Sequence, residues 1–222
     1  MRHHPAPGSN LRLALSVFLI STILAVPTHA YDYPLSPNAI REAYFLGQRR
    51  DDKTAQFLGK YVKHPALPDE GPYVSEISVL TPYAQVVFGS WRSTVGYSAQ
   101  DAQQDYLSQE GTIQVKVRIE FTATYNAVRG VKPVKNAAGK EGFILRQQDF
   151  WRDFRFNLTQ ATRAIKTRGV RGTAIYDRSG LRGAQVWLEY DPREVASGVT
   201  SVEIVTPDND HIAAEFDLTT LR

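Results

Sequence analysis

The chain of 222 residues contains no cysteine. Disulfides therefore have no part in holding it together, and attachment to lipid through an N-terminal cysteine is excluded. Its single methionine is the initiator, so the rest of the chain offers no readily oxidised sulfur. Histidine is scarce as well: beyond residue 30 only His64 and His211 remain. Zinc in proteins is held mostly by Cys and His, so this shortage argues against a transition-metal centre, and no cofactor is expected. Asp208-Asn209-Asp210 places three oxygen donors in sequence but lacks the glycine and distal glutamate of an EF-hand loop; it reads as a polar turn. Gly169, Gly172, Gly180 and Gly183 match neither dinucleotide nor P-loop spacing. Gly96-Tyr97-Ser98-Ala99-Gln100 starts like a nucleophile elbow and fails at its final glycine. One remaining base, His211, among many serines defines no triad.

What is present begins at the N-terminus. Arg2 and Arg12 give a basic start free of acids, followed by the uncharged run Leu13–Val26 and then Pro27-Thr28-His29-Ala30. Thr28 and Ala30 are small residues at the two positions inspected by a signal peptidase, so residues 1–30 are expected to be an export signal and the mature chain to start at Tyr31. The apolar run has 14 residues, whereas a membrane-spanning helix needs about 20. No other stretch is apolar enough to span, so no transmembrane segment is expected after cleavage. The expected location is periplasmic or secreted. Removing residues 1–30 takes two arginines and no acid, leaving 24 basic against 23 acidic side chains. A net charge of +1 gives no argument for nucleic acid binding.

The mature chain is long enough for one substantial core, and its pattern predicts an α+β fold. Residues 31–72 read as an N-terminal helical segment. Ser36-Pro37 starts one helix, with Ile40, Ala43, Tyr44 and Gly47 on a face, ended by Gly47 or the polar run 48–51. Asp51 or Asp52 caps a second, with Ala55, Leu58, Tyr61 and Val62 as its stripe, ended by His64-Pro65. Residues 73–222 read as a β-rich domain in one folding unit with that segment. A strand covers 73–81. Thr81-Pro82 caps a helix lined by Tyr83, Val86, Val87, Trp91 and Val95, with Val86-Val87-Phe88 equally readable as a strand. Ser98 and Asp101 form a capping-box pattern for a helix through Gln109.

Strict alternation over residues 112–125 predicts a long strand with one buried and one wet face. Residues 126–142 read as a basic, mobile hairpin loop. Residues 149–159 read as the return strand paired with 112–125, and 164–176 as a strand kinked at Gly169 and Gly172. A strand through Ala184–Tyr190 and a closing hairpin, Val202–Thr206 with Ile212–Leu218, complete an antiparallel sandwich or curled sheet in the C-terminal half, with the helical hairpin and one or two further helices packed on it.

Candidate chemistry is sparse. On a strand, Asp149 and Asp153 would flank Trp151 on one face about 13 Å apart, farther than either glycosidase mechanism uses. Arg163, Lys166, Arg168, Arg171, Arg178 and Arg182 stand against the single acid Asp177 in residues 163–183. Such a cluster either binds phosphate and carboxylate groups or is the solvated, paired side of strands that discourages edge aggregation. With Trp91, Trp151 and Trp187 these are the contact candidates. Three functions fit. The favoured one is a non-enzymatic exported protein binding a protein or anionic envelope polymer through a sandwich surface. The second is a carboxylate-dependent hydrolase of cell-wall or extracellular polysaccharide. The third is an assembly subunit whose arm, Tyr31–Leu35, adds a strand to a neighbour.

Overall fold

Capping chemistry sets where each helix begins. The computed structural model describes residues 32–69, 71–109, 111–122, 131–135, 141–145, 148–178 and 180–222. It has four α-helices: α1 (Pro37–Arg49), α2 (Asp52–Gly59), α3 (Pro82–Arg92) and α4 (Ala99–Ser108). A helix start leaves backbone N–H groups without partners, and a short polar side chain supplies the acceptor. Ser36 accepts from Ala39, Asp51 from Thr54, Thr81 from Ala84 and Ser98 from Asp101. At Ser98 the box is closed by the Asp101 carboxylate, which accepts the Ser98 N–H at 2.8 Å. Replacing Ser98 by alanine is expected to cost about 1 kcal/mol, read as a lower urea midpoint at unchanged m-value.

α1 ends in the polar run, at Arg49, the second of the two ends expected, while the expected faces of α2 and α3 are corrected in part. α1 runs past Gly47, which is buried where α1 crosses α3: an added Cβ would lie 2.7 Å from Ser90 Cβ and closer still to the Val87 carbonyl oxygen. α2 ends at Gly59 and buries Thr54 rather than Ala55. Tyr61 lies beyond it and is buried in the sheet core, because Val62 begins a strand. α3 is helical through Val86-Val87-Phe88 and buries Tyr83, Val86 and Val87. Its Trp91 is 43% exposed, and Val95 lies past its end in solvent.

The strands form two main antiparallel sheets. β1 (Val62–Lys63), β2 (Pro72–Leu80), β3 (Ile113–Phe121), β8 (Gly169–Asp177) and β9 (Gly180–Tyr190) make a five-stranded sheet in the order β1-β2-β3-β9-β8. β6 (Arg155–Gln160), β7 (Arg163–Ile165), β10 (Val199–Val205) and β11 (His211–Asp217) make a second in the order β11-β10-β6-β7. β4 (Val131–Lys135) and β5 (Glu141–Leu145) pair as a separate ribbon. Ile113, Val115, Val117, Ile119 and Phe121 of β3 face inward and meet Leu158, Ile165, Val202, Ile204 and Phe216 of the second sheet in one cluster. Each such side chain contributes about 1.5–3 kcal/mol of burial free energy. The two sheets thus share a core, and the fold is α+β with a sheet-rich C-terminal half. A smaller helical core gathers Leu35, Ile40, Ala43, Tyr83, Val87 and Ala102, and Phe57 touches both clusters. No helix among the described residues is long and apolar enough to cross a membrane.

The expected pairing of residues 149–159 with 112–125 does not form. Both edges of β3 are taken by β2 and β9, whose apolar phases match it: Val115 lies opposite Val79 and Leu188, and Val117 opposite Ile77 and Val186. Residues Phe150–Asp153 instead form a 3-10 turn, and β6 lies between β10 and β7. Phe150 and Phe154 are still buried, Phe150 against Phe121 at 4.9 Å between ring centres. The expected single strand over 164–176 also divides. β7 belongs to one sheet and β8 to the other, and the chain crosses between them at residues 166–168. Within 126–142 the hairpin has strands for arms rather than loop. Residues 123–130 and 136–140 lie outside the described residues, as does the predicted end of the long strand at 123–125.

Candidate functional site

The basic stretch does not converge. Arg163 projects from β7 and donates to the Glu194 carbonyl at 2.8 Å. Lys166 is exposed in the crossover. Arg168 pairs with Asp191, which also holds Arg193 at 2.8 Å. Hydrogen bonds from Arg193 and the charges of both arginines hold the Asp191 carboxyl well below the usual range, against the opposing effect of burial. Arg171 lies on the outer face of β8, Arg178 is exposed at the β8–β9 turn, and Arg182 is 3.1 Å from Asp177. The six cations therefore sit at several places on two sheets, four of them engaged with groups of the same chain.

The tryptophans separate too. Trp151 is a core residue, 8% exposed, with its indole filling the space above Gly172, where an added Cβ would collide with the ring. Asp149 and Asp153 therefore bracket a 3-10 turn and not a strand, and Asp149 reaches Arg152 at 3.7 Å. Trp187 is half-buried on the outer face of the five-stranded sheet. Its cross-strand neighbours are Lys116 on β3 and Arg171 on β8.

Trp187 belongs to a stripe that crosses this face. The Arg171 guanidinium lies 5.2 Å from the Trp187 ring centre, within cation–π range. On the other side, Lys116 Nζ lies 5.6 Å from the Phe88 ring centre, and Arg92 covers the same ring at 5.4 Å. Phe88 and Trp91 are 6.1 Å apart, one turn of α3 bringing them together. Arg92, Phe88, Lys116, Trp187 and Arg171 thus alternate cation and aromatic from α3 to the sheet edge. Two carboxylates balance it: Glu76 is 2.7 Å from Lys116, and Glu189 is 3.6 Å from Arg171. Burial raises the Glu76 pKa, but the Lys116 hydrogen bond and charge outweigh it and the group is held below its ordinary value. Beside Trp187 on the same face, Gln185 has its Nε2 buried without a hydrogen-bond partner among the described residues. A buried amide donor without an acceptor is uncommon in folded proteins.

Phe88, Arg92 and Lys116 were not among the sequence candidates. The signal for two partners in the stripe was nevertheless present. Lys116 and Trp187 occupy the wet phase of two alternating strands, and a large aromatic in that phase is a side chain the core does not use.

A cavity of about 570 Å³ beside the β6–β7 turn carries two carboxylates, Glu194 and Glu215, but no aromatic side chain lines it. No group of three or more His, Asp or Glu converges among the described residues. His211 is held by Glu203 at 2.8 Å and His64 by the Ser75 carbonyl at 2.9 Å. The N-terminal arm is engaged within its own chain: the Leu35 N–H donates to the Tyr106 hydroxyl at 2.8 Å, Leu35 is buried, and Asp32 meets Arg222 at 3.3 Å. Compared with protein-family models and with curated proteins, the chain matches none.

Proposed function

We propose that this chain is an exported, non-enzymatic protein of the cell envelope or extracellular space that binds a partner through the outer face of its five-stranded sheet. The observation that carries this is the alternating stripe Arg92, Phe88, Lys116, Trp187 and Arg171. Aromatic and arginine side chains dominate the energetics of protein interfaces. The pairing of Lys116 with Glu76 and of Arg171 with Glu189 leaves the stripe little net charge. That favours a protein partner over an anionic polymer, which needs unneutralised cations to gain long-range attraction. Export is supported by the basic start, the short apolar run and the small residues at Thr28 and Ala30.

Trp187→Ala is expected to weaken retention on isolated envelopes at least tenfold, the loss typical of an interface anchor. Arg171→Ser is expected to weaken it less. Retention of the unmodified protein should change little between low and high salt, whereas a steep fall with salt would assign the face to an anionic polymer. Wild-type retention by the Trp187→Ala protein would remove the stripe from the proposal. N-terminal sequencing of the envelope-associated protein should begin at Tyr31. Intact chain in the cytoplasm would overturn export.

A further inference from the structure

The four edges of the two main sheets are unequal. β1 is two residues long and β7 three. β11 presents the exposed His211, Glu215 and Asp217 along its length. Short strands and charged edges are devices that prevent pairing with another chain. β8 has neither. It is nine residues long, and no strand among the described residues pairs with its outer side. Its core-side phase, Val170, Gly172, Ala174 and Tyr176, carries no charge. Val170 and Tyr176 are large apolar side chains left 44% and 59% exposed. An open cavity of about 720 Å³ separates the middle of the strand, residues 172–174, from Gln148, Asp149, Trp151 and Arg152.

The residues of β8 are arranged symmetrically about Thr173. Laid antiparallel against a second copy with Thr173 on the two-fold axis, Val170 falls opposite Tyr176 of the second copy, and Arg171 falls opposite its Ile175. Gly172 falls opposite Ala174, and Gly169 opposite Asp177. Within the strand no two like charges meet, and each exposed apolar side chain lies beside an exposed apolar side chain on the same face; one step beyond each end, Arg168 falls opposite Arg178 of the second copy. A β-branched residue opposite an aromatic is a favourable cross-strand pair. An isologous two-fold contact requires a patch that complements itself in this way.

We propose that β8 is a homodimerisation edge, at which two copies of the chain pair antiparallel about Thr173 and join their five-stranded sheets into one. The pairing uses backbone groups and the apolar phase of β8. It does not depend on the outer-face stripe having a partner.

The chain has no cysteine of its own, so single-cysteine variants report the register directly. Directly opposed residues of an antiparallel pair have Cα atoms about 4.5–5.5 Å apart, inside the range a disulfide spans. Thr173 is exposed, and Thr173→Cys is expected to give a disulfide-linked dimer in high yield under mild oxidation. Val170→Cys should not, because the two Val170 positions lie about 20 Å apart in this register. The unmodified protein should sediment as a dimer. Val170→Lys with Tyr176→Lys should make it monomeric, and Val170→Lys with Tyr176→Glu should restore the dimer, since the new charges then face each other across the axis. A monomer throughout a micromolar concentration series overturns the proposal. So does a dimer in which Val170→Cys cross-links as readily as Thr173→Cys. Neither result bears on whether Trp187→Ala loses envelope retention.

Discussion

Replacing Gly183 by valine is expected to lower the unfolding free energy by at least about 3 kcal/mol, the upper range for overpacking a well-packed interior. Gly183 is buried in β9, opposite Glu120 on central strand β3 and Ile175 on β8. A Cβ placed there would collide with the Ile119 carbonyl oxygen and lie 3.0 Å from Glu120 Cα. These are backbone atoms of the strand that carries the core, and no rotamer change moves them aside. The sheet must separate or the ladder must break. Typical domains have only about 5–15 kcal/mol of stability in total, so the variant should unfold at a much lower urea midpoint. Gly169→Ala is the control. Nothing lies within 4 Å of its added Cβ, and its effect should stay within about 0.5 kcal/mol. Equal midpoints for Gly183→Val and the unmodified protein would show that β3 and β9 are not in this register.

The second large effect is expected in alkali. Tyr61 and Tyr190 are almost completely buried, and burial pushes both phenols up to about 12. In the unfolded chain a tyrosine titrates near 10. Between these values the unfolded state releases protons that the folded state retains, so stability falls as pH rises. The contribution is fully present below about pH 10 and is lost progressively up to about pH 12. A two-unit gap corresponds to about 2–3 kcal/mol for each group. Together they are comparable with the low end of the about 5–15 kcal/mol that stabilises an ordinary domain. Urea unfolding from pH 8 to pH 11, with phenolate absorbance followed in parallel, should show stability bending downward above pH 10 and cooperative ionisation on unfolding. Tyr61→Phe should reduce the slope above pH 10. It should also lower stability at every pH, because the Tyr61 hydroxyl donates to the Arg222 carbonyl at 2.9 Å and accepts the Arg222 N–H at 3.1 Å. A stability curve flat to pH 11 would place both phenols in contact with water.

Features governed by near neighbours were legible in the chain. All four helix starts follow from a capping residue and the spacing behind it, and each cap hydrogen bond is present. The alternation of β3 is borne out in its buried and half-buried phases, as is the closing hairpin of β10 and β11. The misreadings concern partners. Residues 149–159 have the apolar content of a strand, but their pattern does not say which strand they join. In residues 164–176 the glycines mark a kink, and Gly169 does open β8, but nothing local says that β7 and β8 join different sheets. Gly47, Gly172 and Gly183 look like turn or kink residues in sequence. In the fold, backbone or an indole ring occupies the place of their missing side chains.

The candidate site follows the same division. Trp187 and Lys116 stand in the wet phase of their strands, and that is a property of sequence alone. Their adjacency to each other, to Arg171 and to Phe88 on a helix about a hundred residues from Trp187 depends on register and on sheet order.

By itself, then, the order of residues determined the class of fold, the helix boundaries at their capped ends and the inward face of each alternating strand. Capping and side-chain alternation act over one to four residues, so their outcome is written locally. Strand order, the separation of β7 from β8, the core position of Trp151 and the stripe across the outer sheet were decided only by the tertiary structure. Each strand edge has the same backbone donors and acceptors, and the choice among partners rests on how well whole apolar faces fit across a shared core.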